Sequence, residues 1–302
     1  MVKFGLIGAG GYIAPRHMKA IKDTNNDLVS VLDPNDSVGI IDRYFPKSSY
    51  FCEFERFDRH IDRLKRIGNS VDYISIASPN YLHDSHIRFA LKNNSHAICE
   101  KPLVLNPYSI NTLKELEKET GKNVYPILQL RLHPSIIELK KKIKKSARKN
   151  HKIVLNYITP RGSWYHYSWK GNYDKSGGIA TNIGIHFFDM LLWIFGSVKN
   201  SYVEYHTDMK ASGYLELEKA SVDWNLSIDS RDLPHNEWKA FRSITIDGEE
   251  IEFSDGFTDL HTESYKQILN GNGFSIDDAE PSLKLVHQIR NSKKCIPIFV
   301  AM

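Results

Sequence analysis

The sequence lacks the features that mark secreted, zinc-binding and membrane proteins. Only three of its 302 residues are cysteines, and Cys52, Cys99 and Cys295 stand too far apart for a zinc motif or a disulfide framework. The longest apolar stretch, residues 187–195, contains Asp189 and is too short to span a bilayer. The first residues lead directly into a strand and a glycine turn, which leaves no room for a signal peptide. We therefore expect a cytoplasmic protein with no metal site and no membrane contact.

A large excess of charge is lacking as well. The 40 basic and 36 acidic residues give a formal net charge of +4, which is too small to indicate binding to nucleic acid. The basic run over residues 140–152 is most simply the solvated face of a helix, with phosphate binding as the alternative. The small positive balance favours an anionic small molecule as the substrate.

Short apolar runs alternate with helix-length segments in the first half of the chain. The strand candidates are Lys3–Ile7, Leu28–Leu32, Val71–Ala77, His96–Cys99 and Val124–Leu128. The helix candidates include Ala14–Lys22, Asp84–Lys92 and Pro107–Glu119. This alternation predicts a parallel sheet with helices on both faces, whose strand carboxyl ends share one ligand-binding edge. Residues 1–128 are therefore predicted to form an α/β Rossmann domain.

The pattern changes after Gln129. A basic helix is predicted over Pro134–Lys149, and strict alternation of apolar and polar residues follows in Ala220–Ile228. Tyr214–Glu218 and Arg242–Ile246 show similar alternation, which is typical of half-buried antiparallel strands. Residues 129–302 are therefore predicted to form an α+β domain with an open, mainly antiparallel sheet.

A glycine cluster lies between the first strand and the first helix. It approaches the dinucleotide-binding pattern G-x-G-x-x-G/A, but the loop is one residue longer, because the final small residue is Ala14. Glycines let the backbone approach a pyrophosphate at the positive amino end of a helix. A tight turn without a ligand is the alternative. The residues expected to line the pyrophosphate are Gly8, Gly10, Gly11, Tyr12 and Ile13.

An acidic residue ends the second strand candidate. Asp33 lies 22 residues beyond Gly11 and can accept hydrogen bonds from both ribose hydroxyls of an adenosine. Its charge would repel a 2′-phosphate, and Arg43 is the first basic residue that follows it. The sequence thus predicts NAD rather than NADP as the cofactor, although a plain surface turn at Asp33 stays an alternative.

Polar segments follow two further strand candidates. Residues 78–83 follow the third strand, and Glu100-Lys101-Pro102 follows the fourth, where an ammonium group could polarise a substrate oxygen. A plain turn at Lys101 is the alternative. In the second half, Asn182, His186 and Asp189 share one helix face by i, i+4 and i+3 spacing. A histidine on an apolar helix is more often a core residue than a base, so both interpretations of His186 stay open.

The combination of these motifs resembles the Gfo/Idh/MocA family of sugar and inositol dehydrogenases along nearly the whole chain. The motifs that carry the resemblance are the glycine turn, Glu100-Lys101-Pro102 and Gly177–Asp189. The resemblance implies that Lys101 and His186 are catalytic and meet at the nicotinamide. Further cofactor-binding residues implied by it are Ser78, Asn80, His83, Glu100, Lys101 and Gln129.

Other segments look like the bacterial UDP-N-acetylglucosaminuronate dehydrogenases within that family. These segments are residues 8–17, 36–42, 78–83, 161–171 and 257–262. Those enzymes oxidise the sugar C3 hydroxyl to a ketone, on the route to 2,3-diaminouronic acids of surface polysaccharide such as lipopolysaccharide O-antigen. In the wider family the residue four before the histidine is commonly aspartate, whereas this chain has Asn182, as in that subgroup. A carboxylate that orients and charges the histidine is therefore not expected at this position.

This narrower resemblance also implies binding partners. NAD would stay tightly bound and be reoxidised by 2-oxoglutarate, and a homotetramer would form through the open sheet of the substrate-binding domain. The residues expected to contact the UDP-sugar are Lys101, Arg161, Trp169, Asn182 and His186.

Two other functions stay open from the sequence alone. The chain could oxidise another sugar or an inositol, or it could be a non-catalytic sensor of NAD or of a sugar nucleotide. The cationic and aromatic loop at 161–171 favours a uridine diphosphate, through charge pairing and stacking, although it could also be a packed surface flap. A sensor would have no reason to keep both Lys101 and His186.

Overall fold

The computed structural model of the protein describes residues 1–36, 38–234, 238–251 and 259–292. The chain divides into two compact units, Met1–Leu132 with Thr258–Glu280, and His133–Phe257 with Pro281–Met302. The first unit thus runs past residue 128 and also takes in a segment near the end of the chain, which differs from the expected division at 128 and 129. Several residues quoted from the sequence lie outside the described residues: Ser37, Phe257, Thr258 and Cys295.

The first unit contains a six-stranded parallel sheet, which confirms the predicted Rossmann architecture. Its strands are β1 (Lys3–Ile7), β2 (Asp27–Leu32), β3 (Ser49–Phe51), β4 (Tyr73–Ile76), β5 (His96–Cys99) and β6 (Val124–Pro126). They stand in the order β3-β2-β1-β4-β5-β6. From β1 the chain adds β2 and β3 on one side of the sheet, and then crosses to add β4, β5 and β6 on the other side. Ligands of such sheets bind at the carboxyl ends of the strands, beside the point between β1 and β4 where the strand order reverses.

Helices cover this sheet in the βαβ pattern that the sequence predicts. They are α1 (Ala14–Asp23), α2 (Ile40–Tyr44), α3 (Phe54–Arg66), α4 (His83–Lys92) and α5 (Ser109–Thr120). Pro15 lies in the first turn of α1, where a missing N–H costs no intrahelical hydrogen bond. The buried face of α1 includes Met18 and Ile21, which belong to the same core cluster as Phe4 and Leu6 of β1.

The second unit contains a six-stranded sheet of mainly antiparallel strands, as predicted. Its strands are β7 (His151–Ile158), β8 (Val198–His206), β9 (Lys210–Leu217), β10 (Ala220–Ser227), β11 (Phe241–Ile246) and β12 (Glu249–Glu250). They stand in the order β12-β11-β7-β10-β9-β8, and only β7 and β10 pair in parallel. Val222, Trp224 and Leu226 of β10 are buried, which confirms the face inferred from their alternation.

The helical segments of the second unit begin with α6 and end with a long apolar stretch. They are α6 (Pro134–Lys145), α7 (Trp164–Tyr167), α8 (Tyr173–Ser176), a π-helical turn (Ala180–Gly184) and α9 (Ile185–Phe195). The stretch Tyr173–Phe195 is long and apolar enough to cross a membrane, but 78% of its most apolar window is buried within the protein. Burial of this extent is typical of a core helix.

Two helices close the described chain, α10 (Leu260–Leu269) and α11 (Ile276–Arg290). α10 packs against α1 inside the first unit. Tyr265 of α10 is fully buried, and its ring centroid lies 5.7 Å from that of Phe4. The Rossmann core is therefore completed by a segment that lies within the predicted second domain, residues 129–302.

Candidate active site

The glycine turn after β1 lies in close contact with the end of β4. Gly8 has a φ of +92°, and a Cβ atom there would come within 2.6 Å of backbone atoms of Ala77 and Ser78. Its amide donates to the Leu32 carbonyl at 2.8 Å. Only glycine therefore fits this position, and it brings the turn onto the carboxyl edge of the sheet.

The amino end of α1 follows the turn without a side-chain cap. Ile13 occupies the cap position and makes no capping hydrogen bond, while the side chain of Tyr12 is 83% exposed. The first amide groups of a helix have no partner within the helix, and together with its dipole they favour an anion. This helix end therefore suits an anion such as a pyrophosphate, and the pyrophosphate role of the residues in the turn stays a prediction.

Asp33 stands against this turn. Its Oδ2 atom accepts a hydrogen bond of 2.7 Å from the Gly10 amide, and Oδ1 accepts one of 2.9 Å from the Asn35 amide. A Cβ atom on Gly10 would lie 3.2 Å from the carboxylate, so the glycine allows the close approach. Oδ1 also accepts a hydrogen bond of 3.2 Å from the Asn35 side-chain amide, so the further lone pair that suits a ribose hydroxyl is on Oδ2. The residues present therefore fit NAD, and the role of Asp33 at the ribose stays a prediction.

Three predicted cofactor residues lie between the ends of β4 and β5. The ring of His83 is fully buried, with Nδ1 at 2.7 Å from the Pro102 carbonyl oxygen and Nε2 at 2.8 Å from that of Ser78. The pKa of His83 lies below its ordinary value, because the effect of burial exceeds the opposing effect of the two carbonyl contacts. The Ser78 hydroxyl lies 2.9 Å from Nδ1 of His86, and Asn80 begins a 3₁₀ turn. His83 therefore connects two strand ends through the backbone.

Glu100 turns its carboxylate into the interior of the first unit. Its Oε1 atom accepts hydrogen bonds from Nε2 of His17 at 3.1 Å and from Nε2 of His261 at 2.8 Å. Burial alone would raise the pKa of Glu100, but the hydrogen bonds and electrostatic interactions with His17 and His261 together outweigh burial and hold the pKa well below its ordinary value. Glu100 is thus an ionised residue inside a polar cluster, and its neighbour Lys101 is half-buried.

The same three residues have the composition of a metal site. His17, Glu100 and His261 each offer one possible ligand atom, and these three atoms lie within 4.8 Å of one another. Two histidines and a carboxylate bind several transition metals. The separations of 2.8 and 3.1 Å are hydrogen-bond lengths, however, so we interpret the group as a hydrogen-bonded cluster. The sequence-based expectation of no metal site stays a prediction.

Gln129 lies just beyond β6, at the start of a 3₁₀ turn. Its side chain is only 9% exposed, and its Oε1 atom is buried without a hydrogen-bond partner among the residues that the structure describes. A buried acceptor without a partner is rare in folded proteins, because its desolvation is not offset. A ligand donor at the carboxyl edge of the sheet would satisfy it, which supports the predicted cofactor role.

In the second unit, a π-helical turn separates Asn182 from His186. The prediction that Asn182 and His186 share one helix face assumed the 3.6-residue turn of an α-helix. A π turn bonds residue i to residue i+5, so the i, i+4 spacing does not place these two residues on one face. The side-chain amide of Asn182 donates a hydrogen bond of 2.9 Å to the hydroxyl of buried Tyr165. His186 lies in the first turn of α9 and is half-buried, in regular i, i+3 spacing with Asp189.

The loop at 161–171 brings two cations among aromatic rings. The guanidinium of Arg161 lies 5.9 Å from the Tyr165 ring centroid, and the ammonium of Lys170 lies 5.4 Å from that of Trp164 and 5.7 Å from that of Trp169. Burial and then the charge of Arg161 lower the pKa of Lys170. Within the described ranges no carboxylate pairs with either cation, and Nε of Arg161 is buried without a partner. The loop is therefore suited to an anionic ligand that carries a ring.

The sequence does not predict the cluster partners of Glu100. His17 and His261 lie in segments that carry only the family resemblance, and no motif marks Tyr265. The available signal was a histidine on the apolar face of α1, between the buried residues Ala14 and Met18. That signal marks a buried polar group but does not identify its partners.

Two family models match the chain. The first, an oxidoreductase family with an NAD-binding Rossmann fold (GFO_IDH_MocA), covers residues 2–127, and the second, its C-terminal alpha/beta domain, covers residues 151–294. Among curated proteins, glucose-6-phosphate 3-dehydrogenase of Bacillus subtilis (strain 168) is 29% identical over 209 residues, which is 65% of this chain and 55% of that protein. The chain spans about half the length of the first curated relatives that it matches.

Solved structures match over nearly the full length. Crystal structures of the WlbA (WbpB) dehydrogenase from Thermus thermophilus share 48% identity with a TM-score of 0.94, over 98% of this chain and 97% of that chain. One of them contains NAD and alpha-ketoglutarate, and the other contains NAD and UDP-GlcNAcA. WlbA from Bordetella pertussis, at 20% identity and a TM-score of 0.80 over 96% and 95% of the two chains, shares the fold. The chain therefore belongs to the Gfo/Idh/MocA family of NAD-binding oxidoreductases.

Proposed function

We propose that this protein oxidises the C3 hydroxyl of UDP-N-acetylglucosaminuronate to a ketone, with NAD as the hydride acceptor. The observation that carries the proposal is the loop at 161–171, where Arg161 and Lys170 lie among aromatic rings with no carboxylate among the described residues to neutralise them. A UDP-sugar acid supplies anionic groups and a ring for such a loop. The relative from Thermus thermophilus, crystallised with NAD and UDP-GlcNAcA, supports the same substrate.

The chemistry is the removal of a hydride and a proton from one carbinol group. NAD accepts the hydride, with its two electrons, from the sugar C3 atom. His186 accepts the hydroxyl proton as a general base, and Lys101 donates a hydrogen bond to the same oxygen as negative charge develops on it. The two roles could be exchanged between Lys101 and His186. Asn182, whose amide is held by Tyr165, positions the sugar or the histidine.

The remaining cofactor and substrate assignments belong to the same proposal. Asp33 binds the adenosine ribose, and the glycine turn binds the pyrophosphate. Gln129 offers its unpaired buried oxygen to the cofactor. Trp169 stacks on the UDP-sugar, and Arg161 pairs with its charge. Residues 129–302 then act mainly as the substrate-binding and oligomerisation domain.

The cellular setting is part of the same proposal. The complex of the Thermus thermophilus relative with alpha-ketoglutarate supports reoxidation of bound NADH by 2-oxoglutarate. A homotetramer built through the open sheet of the second unit, a cytoplasmic location and a place in O-antigen biosynthesis complete the hypothesis.

Turnover of defined sugars tests the proposal. Purified protein is first examined by native mass spectrometry for bound NAD and subunit number, and then incubated with 2-oxoglutarate and one sugar at a time. We expect a 3-keto product from UDP-N-acetylglucosaminuronate, and much slower reaction of UDP-N-acetylglucosamine, glucose 6-phosphate and myo-inositol. Faster turnover of either sugar that lacks a nucleotide would overturn the proposal, and so would a failure to oxidise any of them.

A further inference from the structure

Lys101 stands between two residues that are both held by histidines. The Glu100 carboxylate before it accepts hydrogen bonds from His17 and His261, and the Pro102 carbonyl after it lies 2.7 Å from Nδ1 of His83. The Glu100 amide also donates to the Ile76 carbonyl at 3.0 Å, which continues the pairing of β5 with β4. The backbone of Lys101 is thus fixed from both sides.

The hydrogen bonds around Glu100 form one directed chain. An ionised carboxylate only accepts, so His17 and His261 must both present an N–H at Nε2. Burial lowers the pKa of His17, so its ring is neutral, and its Nδ1 accepts from the Tyr265 hydroxyl at 2.8 Å. The Tyr265 oxygen then accepts from the Ser75 hydroxyl at 2.6 Å. All five residues are buried, so water does not compete for these bonds.

These residues come from three elements of the first unit and from the residue that follows a fourth. His17 lies on α1, Ser75 on β4, and His261 and Tyr265 on α10, while Glu100 directly follows β5. A buried carboxylate is costly unless it is hydrogen-bonded, and both donors bind its Oε1 atom, so its position is strongly determined by these two histidines. The helix that begins at the glycine turn is thereby connected to the strand end that carries Lys101.

We propose that Glu100 is a positioning residue, which acts with His17 and His261 to fix the backbone from which the Lys101 ammonium reaches the reacting oxygen. This inference rests on the proposed function, in which Lys101 is catalytic. Misplacing a reacting group by about 1 Å can reduce a rate by roughly 10²-fold. The cluster itself takes no part in the proton transfer.

Two substitutions of Glu100 separate its position from its charge. Glu100→Ala removes the acceptor, and we expect kcat to fall by roughly 10- to 100-fold while the Kd for NAD changes less than about threefold. Glu100→Gln keeps an oxygen that both imidazole N–H groups can reach, so it should retain most of the rate. His261→Leu provides a second route if Glu100→Ala does not fold. Ser95→Ala, which removes a buried hydrogen bond to the Val71 carbonyl, is the matched control and should reduce stability alone.

A double-mutant cycle identifies the group through which Glu100 acts. In a Lys101→Ala background, Glu100→Ala should reduce kcat by less than about threefold, because its partner in catalysis is already lost. Losses that multiply in the double mutant would overturn the proposal, as would an equal loss of rate in Glu100→Gln. Stoichiometric zinc that disappears with Glu100→Ala would also overturn it in favour of a metal site.

A measurement that needs no substrate distinguishes failure of the positioning role of Glu100 from failure of the proposed function. Hydrogen exchange of the segment 99–104, followed by mass spectrometry, should be faster in Glu100→Ala and unchanged in Ser95→Ala. Unchanged exchange in Glu100→Ala overturns the positioning role whatever the substrate is. Wild-type protein that shows no turnover of UDP-N-acetylglucosaminuronate overturns the proposed function instead.

Discussion

The side-chain amide of Asn182 donates a hydrogen bond of 2.9 Å to the hydroxyl of Tyr165. This contact joins the helical stretch that contains His186 to the loop that contains Arg161. Burial raises the pKa of Tyr165 despite the opposing effects of Asn182 and Arg161, so its hydroxyl stays protonated across the physiological range. The Tyr165 ring centroid also lies 5.9 Å from the Arg161 guanidinium, so Tyr165 contacts both Asn182 and the cation of the loop.

Arg161→Ala should reduce the thermal protection that UDP gives to the protein. A ligand that binds only the folded state raises the melting temperature, and loss of an unpaired cation weakens that binding. We expect a Kd for UDP about tenfold higher, with NAD binding unchanged, measured by thermal shift and calorimetry. Lys144→Ala, an exposed lysine of α6, is the control. Protection by free glucuronate but not by UDP would contradict a nucleotide-sugar site.

As the pH rises, the affinity for UDP should begin to fall at a lower pH than it would at a site with a solvent-exposed lysine. Burial and the Arg161 charge lower the pKa of Lys170, so its ammonium loses a proton, and with it the attraction for phosphate, before a solvated lysine does. Arg161→Ala removes the repulsion and should move the midpoint of this pH dependence upward. Calorimetric titrations with UDP at pH values from about 7 to 11, spaced by about one pH unit, measure the midpoint in wild type and in Arg161→Ala.

Asp33→Ala should weaken NAD binding by an order of magnitude or more. The carboxylate holds the Gly10 amide and, in our proposal, two ribose hydroxyls, and bonds to a charged group contribute roughly 1.5–3 kcal/mol each. Discrimination against NADP should decrease at the same time. Asp27→Ala, at the exposed start of β2, is the matched control for fluorescence titration. Wild-type protein that binds NADP as tightly as NAD would contradict the assignment.

His186→Asn and Lys101→Ala should each reduce the single-turnover rate by about 10²–10⁴-fold, with NAD affinity and melting temperature nearly unchanged. In the double variant the losses should not multiply if both groups act on one oxygen. Stopped-flow measurement of NADH formation gives the rate, and a thermal melt of each variant serves as its control. A His186→Asn rate within about threefold of wild type would remove the histidine from the mechanism.

Acid should destabilise the first unit through His86. Burial, and then the nearby His83, lower the pKa of His86 to about 4, against 6.5 as the ordinary value. Between these values the unfolded chain binds a proton that the folded protein does not, so stability falls as the pH drops from about 6.5 to 4, by about 3 kcal/mol in total. His86→Gln should flatten this loss in urea unfolding, whereas His166→Gln, at an exposed position, should not. An equal loss in wild type and His86→Gln would rule out His86 as the cause.

Much of the first unit could be predicted because its signals are local. The bounds of β1 and β5 agree with the predicted strands, since short apolar runs between turn residues are typical of buried parallel strands. The glycine turn and Asp33 were found together because both adjoin such strands. β8 was missed because partly exposed or polar residues fill both of its faces.

The rest could not be predicted because it depends on contacts between distant residues. His17 and His261 reach Glu100 across 83 and 161 residues of sequence, and no periodic pattern encodes such a meeting. The π turn before α9 was missed for another reason, since helix patterns assume 3.6 residues per turn. Local patterns therefore predict many of the elements and the ligand-binding edge of the sheet, but not the cluster around Glu100.

The return of α10 to the first unit has a consequence for synthesis on the ribosome. Tyr265 and Ile268 belong to the same buried cluster as Phe4 and Leu6, so this core lacks part of its apolar contacts until α10 has been translated. At about 5–20 residues per second, the nascent nucleotide-binding unit stays incomplete for roughly ten seconds or more after its last strand is made. During that time its uncovered apolar surface is a natural substrate for chaperones. A gene fragment that ends at Leu132 would keep that surface exposed permanently, and would accumulate as aggregate rather than as a small nucleotide-binding protein.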